Sequence, residues 1–596
     1  MAYLTKLSGY GGRRECLEVF GGYDHNLKIN EGWWYDEKNI TSEEYPLFST
    51  RRKRGEIAVQ YDGQRRTIDT PRGLIQKDCL IYVDGSDVYV NDYKVPMGLT
   101  VTDNAKQLIS MGAYLLIWPD RKYLNTNDLS DYGSIDNVTT ATEEVAISLC
   151  ERDGGDAQGY TRAKKAPKDP QNGDRWLDIS GETPCLKVYT ESTGMWTTIA
   201  TTYVKLSSAG LGVGFSAGDG VELLHFTGER KKLNGKFVVM AASEDYIVIT
   251  ALLATKYLTQ AYDEENPVEI RRKAPAMDYI TECGNRIWGC RYSVKNSGST
   301  VNEIYACKLG DFKNWNCFQG ISTDSYAASR GSDGPFTGAA TLDGHPLFFK
   351  EDYIEKVYPA SNGAHQIVTT PAKGVQSGSW RSLQVVDGVL YYKSKKDVMA
   401  YTGSTPTPIS DELGDVEYRQ ARAGAVEGRY YIAMRTLDAN SKYEMLCYDT
   451  RKKLWHKEDE ARPVHFAEMD GDLYYLDVNT KKIMCITGKG TAETDLEWFA
   501  ESGVIGLRDA GQKYITRFVF RAELAPGSSL KMQIKYDEGN WIDRGEFRKE
   551  GLGSFVLPVA PRRCDHLRIR MSGKGEAKIY SVAKYWESGS DRVRRT

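Results

Sequence analysis

Apolar and polar residues alternate with a period of two along most of this chain, in short runs broken by Gly, Asp and Asn, which predicts β-strands joined by tight turns. One such unit is written twice. Val-Val-Asp-Gly-Val-Leu-Tyr-Tyr-Lys at 385–393 and Glu-Met-Asp-Gly-Asp-Leu-Tyr-Tyr-Leu-Asp at 468–477 each place an Asp-Gly turn before a Leu-Tyr-Tyr strand. Weaker copies stand at Cys283 to Trp288, Leu342 to Phe349 and Val426 to Ile432. From Gly344 through Gly388 and Gly428 to Gly471 the steps are 44, 40 and 43 residues. Four-stranded propeller blades repeat at roughly 40–45 residues. Partner strands follow each copy, for example at 353–360, 397–403, 443–455 and 482–488, and segments at 78–92 and 111–126 have the same shape. The predicted fold class is therefore all-β: a β-propeller of about six or seven blades, with an inserted small β domain and a C-terminal β-sandwich.

Breaks in the repeat set the expected domains. Residues 1–69 are rich in turn formers and poor in apolar period, and read as an extended N-terminal arm that packs on a neighbouring subunit or another protein. The propeller occupies 70–149 and resumes over 265–495. Between its parts lies an insertion at 150–264, opened by a Gly-, Pro- and charge-rich stretch at 150–174 that reads as a linker. Beyond 495, longer alternating strands with turns at Pro526-Gly527 and Gly573-Lys574-Gly575 predict the sandwich, 496–596.

Composition narrows the chemistry. With 596 residues the chain has ample material for several cores. Its net charge of −3 provides no global basic field for nucleic acid. The eleven cysteines show no C-x-x-C or metal spacing and read as reduced structural thiols. No signal peptide and no membrane-length apolar run is present, so a soluble product of the cytosol is expected, with no membrane anchoring. No cofactor or metal site is expected.

No catalytic signature stands out. Gly-Leu-Gly-Val-Gly-Phe at 210–215 leads into a turn and strand, where phosphate cradling needs a helix N-terminus. H-E-x-x-H, G-x-S-x-G and Walker patterns are lacking, so the chain is expected not to be an enzyme. The Asp-to-Trp turns at 311–315 and 449–455 are loosely those of propeller glycosidases, but spacing in a repeat cannot bring two carboxylates across a sugar ring. In the insertion, Trp176, Tyr189 and Trp196 read first as the small core of a domain too thin for aliphatics alone, and second as a stacking platform for a glycan or partner. In the arm, Trp33, Trp34, Arg51, Arg52 and Arg54 are candidate assembly contacts. The basic runs at 51–54, 65–66 and 592–595 suit acidic protein surfaces, or are solvated charge.

A resemblance adds a function. The Gly-Gly-Tyr-Asp opening at 21–24, the Tyr-Pro-Leu-Phe-Ser-Thr-Arg-Arg-Lys-Arg-Gly close at 45–55, the blade at 285–315 and Pro-Arg-Arg-Cys-Asp-His-Leu-Arg-Ile-Arg at 561–570 resemble the packaged-DNA stabilisation, or tail hub and nozzle, proteins of bacteriophages. That resemblance implies a homo-oligomeric ring in the virion tail, made in the host cytoplasm. The ring would continue the portal channel, contact portal or adaptor and tail fibre or needle proteins, and let DNA pass with only transient, non-specific contact. The alternatives are a glycan-binding tail adhesin and a propeller glycosidase.

Overall fold

The computed structural model describes residues 13–588, apart from 92, 182, 256, 297, 495, 508–511 and 560–561; the basic run at 592–595 lies outside the described residues. The fold is a β-propeller with an inserted β domain and a C-terminal β-sandwich. Among the described residues, six sheets share one build, with four successive strands side by side in chain order, at 71–95, 107–134, 279–329, 338–371, 384–408 and 418–457, and a seventh, 463–492, departs from it only by admitting a strand from the N-terminal segment. The repeated dipeptide explains the hairpins. Asp387 and Gly388 have φ of 47° and 78°, and Asp470 and Gly471 have 56° and 80°. A two-residue turn of this hand matches strand twist, and Asp and Gly tolerate it best.

Two compact units are formed, residues 1–106 with 349–354 and 371–596, and residues 107–348 with 355–370. In the first, the opening strand of the 463–492 blade packs on those of the 418–457 and 71–95 blades. In the second, Gln107–Met111 packs on Tyr279–Glu282, which packs on Gly338–Leu342.

The insertion is wider than 150–264. Asn137–Thr140 pairs with Glu269–Arg272, so the strands that enter and leave it close its eight-stranded sheet. The stretch expected to be a linker also contributes Tyr160–Ala163, parallel to Arg175–Asp178 in a separate four-stranded sheet. The module is anchored in the second unit by Asn314, whose Oδ1 accepts the Gly220 amide and whose Nδ2 donates to Asp219.

The N-terminal segment corrects the expectation of a free arm. Strand β1 (Arg13–Leu17) pairs with Ala577–Ser588, and β2 (Trp34–Lys38) pairs with Glu497–Ser502. Strands β3 (Ile40–Thr41) and β4 (Phe48–Thr50) extend the first sandwich sheet. Strand β5 (Gly55–Ile57) enters the 463–492 blade, between Ile483–Cys485 and Thr491–Ala492. Phe20, Trp34 and Phe48 are buried in the sandwich core with Trp498, Phe518 and Ile534. Each such ring stabilises by roughly 1.5–3 kcal/mol. These strands are too short to show a period, so the segment reads as unstructured although Phe20, Tyr23, Trp34 and Phe48 are buried within its own chain.

Candidate functional site

Two blade-opening strands of the first unit are irregular at the same place. Tyr418–Val426 slips register between Arg419 and Arg422, with Gln420 at φ 54°, and Pro463–Met469 slips between Pro463 and Phe466. Such bulges bend a strand and re-aim its side chains. The strands also approach closely, since a Cβ on Gly424 would stand 2.4 Å from that of Phe466. The result brings Arg422 beside Arg462 and His465. A short 3-10 turn, Trp380–Ser382, adds Arg381.

The cluster is held by backbone and rings. An Arg381 Nη1–H donates to the Val464 carbonyl at 2.7 Å, and an Arg422 Nη1–H donates to that of Pro463. The Arg422 and Arg462 guanidiniums lie 5.0 and 5.3 Å from the ring centre of Tyr443, whose hydroxyl donates to Gln420. Trp380 meets His465 edge to face at 5.7 Å. Arg422 is buried, whereas Arg381, Arg462 and His465 are half-buried as whole residues with their polar atoms turned inward, so the group lies deep. Buried Nε atoms of all three arginines, and Nδ1 of His465, have no hydrogen-bond partner.

Electrostatics follow from this packing. Burial, then repulsion from Arg422 and Arg462, pushes the Arg381 guanidinium down to about 9, against a partial offset from Tyr443. Burial also lowers Arg422. Burial, with Arg381 and Arg422 alongside, holds His465 well below the usual imidazole range, so it is neutral near pH 7. Among the described residues, no carboxylate forms an ion pair with Arg381, Arg422 or Arg462.

The residues singled out in the sequence lie elsewhere. Arg51 and Arg54 are buried inside the first unit: Arg51 pairs with Glu493 at 2.6 Å, and Arg54 with Glu458 and with Asp459 at 2.6 Å. Trp34 is in the sandwich core. An assembly role for these three is corrected, because their partners are intramolecular. Arg52 is exposed and pairs with Glu43 at 3.0 Å, while Trp33 is half-buried against Gly21 and lines a small recess with Ile29 and Val504. In the insertion, Trp176 is buried and donates from Nε1 to the Ala163 carbonyl; Trp196 meets it edge-on at 5.6 Å and Tyr189 at 5.4 Å. Trp176 is thus core, and only Tyr189 and Trp196 of the three keep partly accessible rings.

Sequence reasoning missed the arginine cluster, although a signal was present. From 381 to 422 is 41 residues and from 422 to 462 is 40, which is the blade period itself.

No family model and no curated protein sequence matches this chain. Solved structures to which it is similar include an exo-β-1,3-galactanase from Phanerochaete chrysosporium, at 8% identity over 51% of this chain and 95% of that one, TM-score 0.21. Another is an arabinoxylan arabinofuranohydrolase from Bacillus subtilis, at 9% identity over 52% and 95%, TM-score 0.16. A third is Trypanosoma rangeli sialidase, at 10% identity over 67% and 93%, TM-score 0.21. These likenesses are too remote to carry a role residue by residue. They do correct two expectations. The solved structures to which the chain is similar include glycoside hydrolases, a sialidase and the extracellular domain of a sensor system, and no family model matches to carry the tail-hub resemblance, so the bacteriophage identification is withdrawn. The expectation of a non-enzymatic chain is withdrawn with it, since the neighbours include glycoside hydrolases.

Proposed function

We propose that this chain is a carbohydrate-active β-propeller protein, which binds a saccharide at the group formed by Trp380, Arg381, Arg422, Tyr443, Arg462 and His465. One observation carries the reading: buried polar atoms without partners stand beside aromatic rings where two blade strands are bulged. A sugar offers the matching surface, with hydroxyl and ring oxygens for the donors and an apolar C–H face for the rings of Trp380 and Tyr443. Buried donors left unmade cost more than a hydrogen bond gives, so a ligand that supplies acceptors is favoured over one that does not. The rings of Tyr189 and Trp196 form a second, lesser contact in this proposal.

The test is a saccharide array probed with the full chain, followed by assay of the bound saccharides for newly released reducing ends. Saturable binding is expected, and Trp380→Ala should weaken it about tenfold, the equivalent of ~1.4 kcal/mol for one stacked ring. Release of reducing ends assigns hydrolysis to the chain; binding without release assigns recognition. Binding to no saccharide overturns the proposal.

A further inference from the structure

The donor account at the arginine cluster goes further than a neutral sugar needs. Each guanidinium carries five N–H donors and, unlike lysine or histidine, does not shed its charge in a protein. Arg381 and Arg422 each commit one nitrogen to a backbone carbonyl, and the Arg462 side chain meets only the face of Tyr443. Their Nε atoms are buried without partners, beside an imidazole that is neutral and adds no further charge.

The surrounding acids are spoken for. Asp477 accepts the Arg462 amide on Oδ1, and the Thr480 amide and hydroxyl on Oδ2. Glu444 follows Tyr443 along the strand and so faces the other side of the sheet, where it accepts the Tyr418 hydroxyl at 2.8 Å and lies 3.6 Å from Lys457. Three cations therefore share a poorly solvated place where Asp477 acts on Arg422 from a distance, but where, among the described residues, no carboxylate forms an ion pair with any of them. Isolated buried charge is expensive, and native proteins resolve it by pairing. A sequence that repeats this arginine at the blade period, and engages the nearest acid in backbone and hydroxyl hydrogen bonds, leaves the pairing to a ligand.

Resting on the saccharide reading above, we infer that the Arg381, Arg422 and Arg462 guanidiniums receive the anionic group, carboxylate or sulfate, of an acidic saccharide. A planar fork matches the oxygens of either group in a bidentate manner, and such charge-assisted bonds are about twice as strong as neutral ones. His465 and Trp380 then border the sugar ring. The chemistry excludes a simple hydroxyl ligand as the best occupant, because hydroxyls leave the three charges unpaired.

The experiment compares three probes by titration calorimetry with the full chain: tri-galacturonate, its carboxyl-reduced neutral twin, and inorganic sulfate. The inference expects the acidic trisaccharide to bind about 100-fold tighter than the neutral one, with affinity falling as salt rises. Arg422→Met should erase that preference, and the exposed Arg52→Met should leave it. Should Arg422→Met not fold, Arg462→Met at a half-buried position serves, and the wild-type comparison stands without any variant. Equal affinity for the acidic and neutral trisaccharides overturns the inference and leaves the saccharide reading intact. Sulfate binding that depends on Arg422, with no saccharide bound, upholds the anion site and overturns the saccharide reading. Neither sulfate nor acidic saccharide binding overturns the inference outright.

Discussion

Two groups of buried arginines sit in the same unit and have opposite surroundings. Arg51 and Arg54 reach Glu458, Asp459 and Glu493, and the pairing outweighs burial so that the Arg54 guanidinium lies well above its ordinary value. Arg381, Arg422 and Arg462 reach backbone and rings and, among the described residues, form no ion pair with an acid, and Arg381 falls to about 9. The first group joins the segment before β5 to the blade that β5 completes. It is a lock built from one chain. The second has the same ingredients without the acids, and it adds no such lock. Burial of charge alone therefore does not mark a site; burial of charge without a partner does.

Breaking the lock gives the largest expected effect. Arg54→Met leaves Glu458 buried beside fewer cations, and loss of one member of a buried pair costs roughly 3–5 kcal/mol. Chemical denaturation should show a correspondingly lower midpoint, and the paired change Arg54→Met with Glu458→Leu should recover a large part of it. An unchanged midpoint for the single variant would remove the lock from the account.

Acid should loosen the same group. Burial raises the Asp459 carboxyl, but Arg54 and Arg51 outweigh it and hold the group below its ordinary carboxylate value. A carboxyl depressed in the folded state contributes stability that is present above the unfolded value and lost as pH falls below it through the folded value. Thermal unfolding followed from pH 6 down to pH 2 should therefore lose stability below about pH 4. Asp459→Asn should be less stable at neutral pH and flatter over that window.

The unpaired group should respond in the opposite sense. Arg381→Met removes a buried cation that repels two others, and replacement of unpaired buried charge by an apolar chain is neutral or stabilising, by about 1 kcal/mol here. The expected result is an unchanged or higher unfolding midpoint together with lost anion binding. At the small end, Arg52→Ala breaks an exposed pair and should shift stability by no more than ~0.5 kcal/mol.

The blades were legible because their turns need particular residues: the positive φ at Asp387-Gly388 and Asp470-Gly471 selects Asp and Gly, and selection at a fixed spacing is visible as a repeat. The sandwich was legible where strands are long, as in Ser529–Tyr536, whose side chains alternate between buried and half-buried. The N-terminal strands were not, because β1 to β5 are two to five residues long and, β3 apart, which pairs with β4, they find partners more than 400 residues away. Arg51 and Arg54 looked like a surface charge run for the same reason: Glu458, Asp459 and Glu493 are distant in sequence. The candidate site fell between the two cases. Its arginines recur at the blade period, but the bulges that turn Arg422 and His465 toward them depend on tertiary contact, and nothing in the local alternation announces a register slip.

Diffraction from crystals of the full chain soaked in selenate, recorded at the selenium absorption edge, tests the central claim most directly. An anomalous peak within hydrogen-bond distance of the Arg381, Arg422 and Arg462 guanidiniums, with none at Arg51 and Arg54, is the expected result. A peak at the paired arginines, or no peak at the unpaired ones under conditions where selenate is seen elsewhere on the molecule, would contradict it.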